Sequence, residues 1–296
     1  MEQFFQQTIN GVALGGVYAL IAIGYTMIYG IIKLINFAHG DILMLGAFFA
    51  YFVLRVTGPT PEGIILAFVV SMTGCAILGI TIERLAYKPL RTAPRINALI
   101  TAIGVSLLIE NVARVLPFIG PDYRTFPVAS FEPLRFAGIV INPLQLIVLI
   151  VALVLMAVLT YIVDYTKVGK AMRAVSFDKQ ASALMGINVN RIISFTFALG
   201  SMMAAAAGIL YSFSYPLIEP NMGIIPGLKA FVAAVLGGIG SIPGAMIGGF
   251  IMGLAETYTK GYISSQMADA IAFGILIVIL LVKPTGLLGK KISEKV

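Results

Sequence analysis

Long apolar runs separated by short polar segments are the dominant pattern along this chain. A helix needs about 20 mostly apolar residues to cross the ~30 Å hydrocarbon core of a bilayer. Runs near or above this length lie at 8–32, 36–56, 64–83, 97–116, 143–163, 192–213 and 267–282. They are continuous, whereas the strands of a membrane β-barrel would alternate polar and apolar residues. The pattern predicts an all-α, polytopic helical bundle that forms one transmembrane domain over residues 1–296.

One further apolar segment, 226–257, differs because it carries GGIGSIPGA near its middle. Gly adopts unusual dihedrals and Pro cannot continue a helix, so we expect two short helices that meet at a break. The loop before this segment is expected outside and the carboxyl terminus inside, one crossing after the segment, so the segment should begin and end outside. It would do so either as a re-entrant hairpin or as two thin spans. The chain then has about eight spans. Broken backbone at membrane depth is either buried in protein or lines a watery cavity.

The glycines of this segment can be interpreted in two ways. Small residues four apart let helices approach closely in lipid, which fits the pairs Gly244/Gly248 and Gly249/Gly253. Alternatively, the break lines the substrate path, and the candidates for that role are Gly237, Gly238, Gly240 and Pro243.

The composition agrees with a membrane protein, since 59% of the residues are hydrophobic and only 11% are charged. The first apolar run is not a typical cleavable signal peptide, because it is too long and no basic residue precedes it. The net charge of +7 reflects the excess of Lys and Arg in cytoplasmic loops and predicts no nucleic-acid partner.

The distribution of basic residues sets the expected orientation. Loops expected to be cytoplasmic hold Lys33, Arg84, Lys88, Arg91, Arg95, Lys167, Lys170, Arg173, Lys179, Arg191, Lys283, Lys290, Lys291 and Lys295. The opposite loops hold only Arg55, Arg114, Arg124, Arg135, Lys229 and Lys260. The amino terminus is therefore expected outside and the carboxyl terminus in the cytoplasm. A proline-rich segment, 117–142, is expected to be an extended external loop and a possible partner contact.

Residues 164–191 form a polar, basic, helix-competent insert between two spans. Gly169 and Gly186 bracket the expected helices, Ala174 is one of several helix-forming alanines, and Asp178 is expected to cap a second helix. Two short amphipathic helices along the membrane face would offer a docking surface for a soluble partner. The alternative is a solvated basic face that binds phospholipid headgroups, but the small residues favour close protein contact.

A few polar residues fall inside the predicted spans. Asn36, His39 and Asp41 open the second span at or just inside the inner boundary, either as an interfacial helix start capped by Asn36 or as a cytoplasmic gate. His39 and Asp41, two residues apart, should point to different faces. We expect a structural ion pair between Glu110 and Arg114 four residues later. Glu256 is expected at the membrane interface.

The chain lacks the motifs of catalysis. It has no G-x-S-x-G, no H-E-x-x-H and no G-x-x-x-x-G-K-[ST], and it has a single Cys and a single His. We therefore expect no catalytic residue, no metal and no cofactor. Uphill transport would need ion coupling or a separate ATPase. Because nearly all charges are expected at the ends of spans, a separate ATPase is favoured.

The chain resembles branched-chain amino-acid ABC permeases, the H-type subunit of the leucine-isoleucine-valine system, over almost its full length. The resemblance rests on YALIAIGYTMIYGI, INFAHGD, IERLAYKPLR at 82–91, the segment from Gly169 to MGIN at 185–188, KAFVAAVLGGIGSIPGAMIGG at 229–249, and Lys283-Pro284-Thr285-Gly286. Urea and short-amide permeases share several of these segments and are the alternative.

This resemblance implies a permease of the bacterial inner membrane that works by alternating access. The implied partners are a homologous second permease, two ATPases and an extracytoplasmic substrate-binding protein. Importers of this type carry a coupling pattern in which Glu-Ala-Ala is followed by three residues and then Gly. Residues 180–186 occupy the place of this pattern, with Gln instead of Glu and Ser instead of the second Ala. Carried over, the pattern implies coupling residues Ala181 and Gly186, with Arg173 and Ile187 beside them. A self-contained carrier or channel and a membrane-embedded enzyme are the rival classes.

Overall fold

The computed structural model of the chain describes residues 1–91, 93–129, 131–136 and 139–289. In this part of the chain the helices are α1 (Glu2–Ile32), α2 (His39–Thr57), α3 (Pro61–Ile82), α4 (Arg95–Val115), α5 (Pro143–Tyr165), α6 (Lys167–Phe177), α7 (Lys179–Leu184), α8 (Val189–Ser214), α9 (Ile224–Gly237), α10 (Ile242–Tyr262) and α11 (Met267–Val282). A π-helical turn, Glu83–Tyr87, and a 3-10 turn, Lys88–Leu90, extend α3. Lys290, Lys291 and Lys295 of the predicted cytoplasmic set lie outside the described residues.

Six of these helices, α1 to α5 and α8, are long and apolar enough to cross a membrane, and α9 and α11 are shorter apolar helices. The chain is therefore a multi-pass helical membrane protein, which confirms the predicted fold class. At 1.5 Å per residue, α9 is only about 21 Å long and cannot span ~30 Å of hydrocarbon alone.

The centre of the bundle is α1, whose residues from Gly11 to Ile32 are almost all buried. It packs most extensively against α10 and α8, while α2 and α3 complete the layer around α8. The outward faces of α3, α4, α5 and α11 carry exposed large apolar side chains. Such faces suit lipid or another apolar membrane helix, because the surrounding hydrocarbon removes the penalty that water would impose.

One end of the bundle, here called the hairpin end, carries the short strands. β1 (Arg124–Thr125) pairs antiparallel with β4 (Leu217–Ile218), and β2 (Leu134–Phe136) pairs antiparallel with β3 (Ile139–Ile141). The last turn of α10 also lies here, since Gln3 Nε2 donates to the carbonyl oxygen of Gly261 at 3.2 Å. Part of the segment 117–142 thus forms short strands, one of which pairs with the chain that follows α8.

The opposite end, here called the coupling end, carries α6, α7 and the break between α9 and α10. Ser176 Oγ of α6 donates to the carbonyl oxygen of Gly30 at 2.7 Å, and the Cα atom of Gly240 lies beside Gly30. The chain after α11 returns to the same place, where Leu287 N donates to Leu236 O at 2.8 Å. The α9–α10 break therefore reaches the end of the bundle opposite to β4.

Glycines allow the helices around this break to touch. A side chain at Gly248 would overlap the backbone of Ala233 in α9, whereas one at Gly249 would overlap Ala19 in α1. The two predicted small-residue faces of α10 thus pack against two different helices, and this packing role is confirmed. Gly238 closes α9 with φ of +104°, a conformation that residues with a Cβ rarely adopt.

Candidate functional site

The insert between α5 and α8 folds as two short capped helices, as the sequence predicts. The side chain of Thr166 accepts from Gly169 N at 3.1 Å and starts α6. The Asp178 carboxylate accepts from Gln180 N at 2.8 Å and Ala181 N at 2.9 Å and starts α7. Each cap satisfies amide groups that have no partner inside their own helix, which fixes where the two helices begin.

Four of the predicted coupling residues have packing roles at the membrane side of this segment. Gly169 is buried, and a side chain there would overlap the carbonyl groups at the end of α5. The Arg173 guanidinium donates to Val163 O and to Asp164 O, so it attaches α6 to the end of α5. Ala174 is half-buried and Ile187 packs against the core.

The other two predicted coupling residues lie on the exposed side of the segment. Ala181 and Gly186 are both exposed. Gly186 adopts φ of +82°, and no atom lies within 4 Å of the position that a side chain would take there. These two positions are therefore open to a partner, whereas Gly169 and Arg173 hold the segment in place.

Three large apolar side chains of this segment, here called the apolar tip, are mostly exposed. Phe177 is 92% exposed, Leu184 is 89% exposed and Met185 is 83% exposed. Large apolar groups that a polar, capped segment exposes are candidates for contact with a partner protein. The sequence reasoning missed these residues, although apolar residues inside a basic insert were the signal that could have identified them.

A buried polar network, here called the Glu83 clamp, joins α3 to the beginning of α8. The Glu83 side chain is fully buried and is paired with Arg91. Ser194 Oγ donates to the second Glu83 oxygen at 2.6 Å, and Arg91 also donates to Asn190 Oδ1. Because only residues 185–188 separate α7 from α8, this clamp links the coupling segment to the end of α3.

Positive charge gathers near the clamp on the coupling end. Partial burial lowers the pKa of the Lys179 ammonium group, and the nearby cations of Arg91 and Lys33 lower it further. Such a concentration of cations suits an acidic partner surface or anionic lipid headgroups.

The connection from α1 to α2 turns back into the bundle and carries His39 inward. The His39 ring lies 4.5 Å from the Tyr25 ring, centroid to centroid, and is fully buried. Tyr25 is seven residues before the end of α1, about 10 Å along its axis. His39 therefore lies inside the bundle, about 10 Å from the end of α1. Asn36 is buried too, but it caps nothing, since the N-cap of α2 is Ala38. Its Oδ1 accepts from the Tyr87 hydroxyl at 2.9 Å.

His39 and Asp41 point to different neighbours, as their spacing predicts. His39 faces α1, whereas the Asp41 carboxyl group faces Ser106 and Glu110 of α4. The predicted ion pair between Glu110 and Arg114 is wrong, because Arg114 donates to Asn221 Oδ1 at 2.5 Å. Two acidic groups therefore approach each other between α2 and α4.

The beginning of α9 meets the beginning of α2 inside the bundle. A side chain at Gly223 would overlap the Gly40 carbonyl group, and Gly227 also packs against Gly40. Since Gly40 follows His39, both helices begin at a similar depth, and their positive dipole ends lie close together. These residues remain candidates for the translocation path.

The predicted path residues around the break lie elsewhere, at the coupling end. Gly237 packs against Gly244, Gly238 packs against the chain near Gly289, and Pro243 is exposed in the first turn of α10. Gly240, with φ of +97°, has open space around its side-chain position.

A second buried charged network corrects the expected position of Glu256. This side chain is buried, with Lys229 Nζ at 3.0 Å and Lys260 Nζ at 2.6 Å from its Oε1 atom. The Tyr18 hydroxyl donates to Oε2 at 2.6 Å. Lys229, expected in an external loop, is buried in α9 and also contacts Asp269 Oδ1 at 2.7 Å. Not all charges therefore lie at the ends of spans.

The described residues contain no cluster of three His, Cys, Asp or Glu side chains that could hold a metal ion.

Comparison with known proteins gives the family. Residues 7–280 match the family model described as the permease component of the branched-chain amino acid transport system. The high-affinity branched-chain amino acid transport system permease protein LivH of Escherichia coli K12 is 43% identical, over 99% of this chain and 98% of that relative. The permease protein BraD of Pseudomonas aeruginosa is 40% identical over the same shares. The probable permease protein LivH of Methanocaldococcus jannaschii is 30% identical over 91% of this chain and 88% of that relative. This chain belongs to the family of branched-chain amino acid transport system permease components.

Proposed function

We propose that this chain is a permease subunit of an ATP-driven importer of branched-chain amino acids. The observation that carries the proposal is the near full-length similarity to permeases whose names specify branched-chain amino acid transport. The proposed assembly contains a homologous second permease, two separate ATPases that bind ATP and Mg²⁺, and an extracytoplasmic substrate-binding protein. Its proposed location is the bacterial inner membrane.

The excess of basic residues at the coupling end supports a cytoplasmic position for α6 and α7. With that orientation, the amino terminus lies outside, at the hairpin end, and the strands there are available to the binding protein. ATP-driven closure of the ATPases would pull on the apolar tip and on the exposed surface around Ala181 and Gly186. The Glu83 clamp and the Arg173 contacts would transmit this pull to α3, α5 and α8.

Two substitutions test the coupling role. Arg173→Glu places a carboxylate against the Val163 and Asp164 carbonyl oxygens, and Gly186→Pro removes the amide that donates to Ala183 O while excluding a positive φ. Each should abolish ATP-dependent uptake of leucine by the reconstituted assembly while the chain still inserts. Normal uptake by both variants would refute the coupling assignment.

An ion-coupled carrier is the second candidate, and the buried Lys229–Glu256 network is the observation that favours it. The two functions differ in their energy source. Affinity purification in mild detergent should recover an ATPase and a second permease with this chain, and uptake into proteoliposomes should require ATP. Uptake by the chain alone, without ATP and driven by an ion gradient, would establish the carrier instead.

A further inference from the structure

The π-helical turn Glu83–Tyr87, where α3 ends, departs from ordinary helix geometry. Turns of this kind are rare and occur frequently at functional sites. Glu83 and Tyr87 are the two buried residues of the turn, whereas Arg84 and Leu85 between them are exposed. The turn therefore carries two buried polar side chains four residues apart, and each of them contacts a different part of the chain.

The first of these side chains, Glu83, connects the π-helical turn to the beginning of α8. Ser194 Oγ donates to the Glu83 carboxylate at 2.6 Å, and Arg91 joins the same carboxylate to Asn190 Oδ1. Only residues 185–188 separate α7 from α8. A displacement of α7 by an ATPase would therefore reach the π-helical turn through charge-assisted hydrogen bonds to a buried carboxylate.

The second side chain, Tyr87, connects the same turn to the chain between α1 and α2. Its hydroxyl donates to Asn36 Oδ1 at 2.9 Å, and both residues are buried. Its ring packs against Phe197 of α8, with 5.3 Å between the ring centroids. Phe197 follows Ser194 by three residues, so the π-helical turn contacts one face of α8. The beginning of α8 and the α1–α2 connection are thus joined through a single short turn.

The α1–α2 connection, residues 33–38, has the features of a segment that changes conformation. Lys33, where the connection begins, has φ of +60°, and among the described residues it alone combines a positive φ with a side chain. Such a backbone is unfavourable for a residue with a Cβ. The Asn36 Nδ2 atom is buried and has no hydrogen-bond partner in the described part of the chain. Both features raise the free energy of this conformation, so a change in the contacts of the connection can shift it to another one.

The connection leads directly to the place where α2 and α9 begin. His39 N donates to Asn36 O at 3.1 Å, and Gly40, the next residue, packs against Gly223. We propose that Tyr87 is a positioning residue through which movement of the coupling segment displaces Asn36 and thereby the beginning of α2. The proposal rests on the proposed function, because it needs an ATPase that moves the coupling segment.

Tyr87→Phe tests the proposal, because it removes the hydroxyl and keeps the ring that packs against Phe197. The complete assembly is reconstituted in proteoliposomes, and leucine uptake and ATP hydrolysis are measured in the same vesicles. We expect the variant to bind the ATPase normally and to transport at least threefold less leucine per ATP hydrolysed. A defect in folding or assembly would lower uptake and hydrolysis together. A smaller decrease in the ratio of the two rates would therefore overturn the proposal.

Two further variants show whether the effect belongs to the hydrogen bond. Tyr51→Phe is the matched control, because it makes the same change at a buried tyrosine near Arg124 of the hairpin end, and its ratio should equal that of the wild type. Asn36→Ala should lower the ratio as Tyr87→Phe does. The double variant should lower it no further, because both changes remove the same hydrogen bond. Losses that multiply in the double variant would show two independent roles and would contradict the proposal.

Movement of the connection can be measured without changing Tyr87. Ile35→Cys places a thiol at a half-buried position of the connection. Its rate of labelling by a maleimide is compared in the assembly without nucleotide and with ATP and vanadate. We expect the two rates to differ at least threefold, and the parent assembly, in which Cys75 of this chain is buried, gives the background. Equal rates would refute the proposal even if Tyr87→Phe does not fold.

These failures differ from failure of the proposed function. Normal ATP-dependent leucine uptake by Tyr87→Phe, with an unchanged ratio of uptake to hydrolysis, would overturn the role of Tyr87 and leave the importer function standing. A complete wild-type assembly that transports no branched-chain amino acid would refute the proposed function, whatever the labelling of Ile35→Cys shows.

Discussion

Phe177→Ala should weaken binding of the ATPase subunit without weakening the chain itself. Phe177 ends α6 with 92% of its surface exposed, so in this chain it contributes almost nothing to the core. Full burial of a Phe side chain contributes about 1.5–3 kcal/mol. If the apolar tip fills a pocket on the ATPase, truncation to Ala should cost about 2 kcal/mol, which corresponds to about a 30-fold increase in Kd.

The assay is titration of the purified ATPase onto the permease in nanodiscs, followed by ATP-dependent uptake with the same variants. Tyr123→Ala is the matched control, because Tyr123 is also an exposed aromatic residue, at 68%, but lies at the hairpin end. Its Kd should equal that of the wild type. Thermal unfolding of both variants should match the wild type within error. A Kd for Phe177→Ala within threefold of the wild-type value would refute the docking role of the apolar tip.

Three further tests, two of them with a control substitution, address the packing and the buried charges. Gly223→Ala places a Cβ against the backbone of α2 and should lower the free energy of unfolding by about 1–3 kcal/mol. Gly104→Ala is the control, because open space surrounds that position, and it should leave the stability unchanged. Thermal unfolding in detergent compares the two variants. Lys229→Met breaks a buried ion pair and should lower the free energy of unfolding by about 3 kcal/mol. Asp269→Asn removes a half-exposed partner of the same lysine and should lower it by less than about 1 kcal/mol. Equal melting temperatures for the two variants would contradict the buried network. Glu83→Gln removes the charge of the clamp and should reduce ATP-dependent uptake with normal ATPase binding, and weaker ATPase binding would instead place this residue in the docking surface.

The type of the spanning elements could be predicted from the sequence, whereas about eight spans were expected and six of the described helices are long and apolar enough to cross a membrane. A helix in hydrocarbon must satisfy its backbone internally and must be long enough to cross, so apolar run length is a direct signal. α11 begins and ends at the predicted residues, and the caps of α6 and α7 follow from local residue types. The segment at 226–257 reads as two helices because Gly and Pro restrict the backbone locally.

The sites depended on tertiary structure. The residues before α2 read as a helix start at the membrane boundary, but the chain turns inward and places His39 beside Tyr25. Spacing suggested that Glu110 pairs with Arg114, whereas the neighbouring segment offered Asn221 to that Arg. Local spacing cannot reveal either result, because the partner is distant in sequence.

The sequence by itself determined an apolar, multi-pass helical protein with one basic, helical insert, because hydrophobic length and helix caps act within a few turns of chain. Only the tertiary structure decided which charges are buried together, as Lys229, Glu256 and Lys260 are. The physical reason is that a charge inside a bundle is stable only beside a partner. That partner comes from whichever helix packs against it.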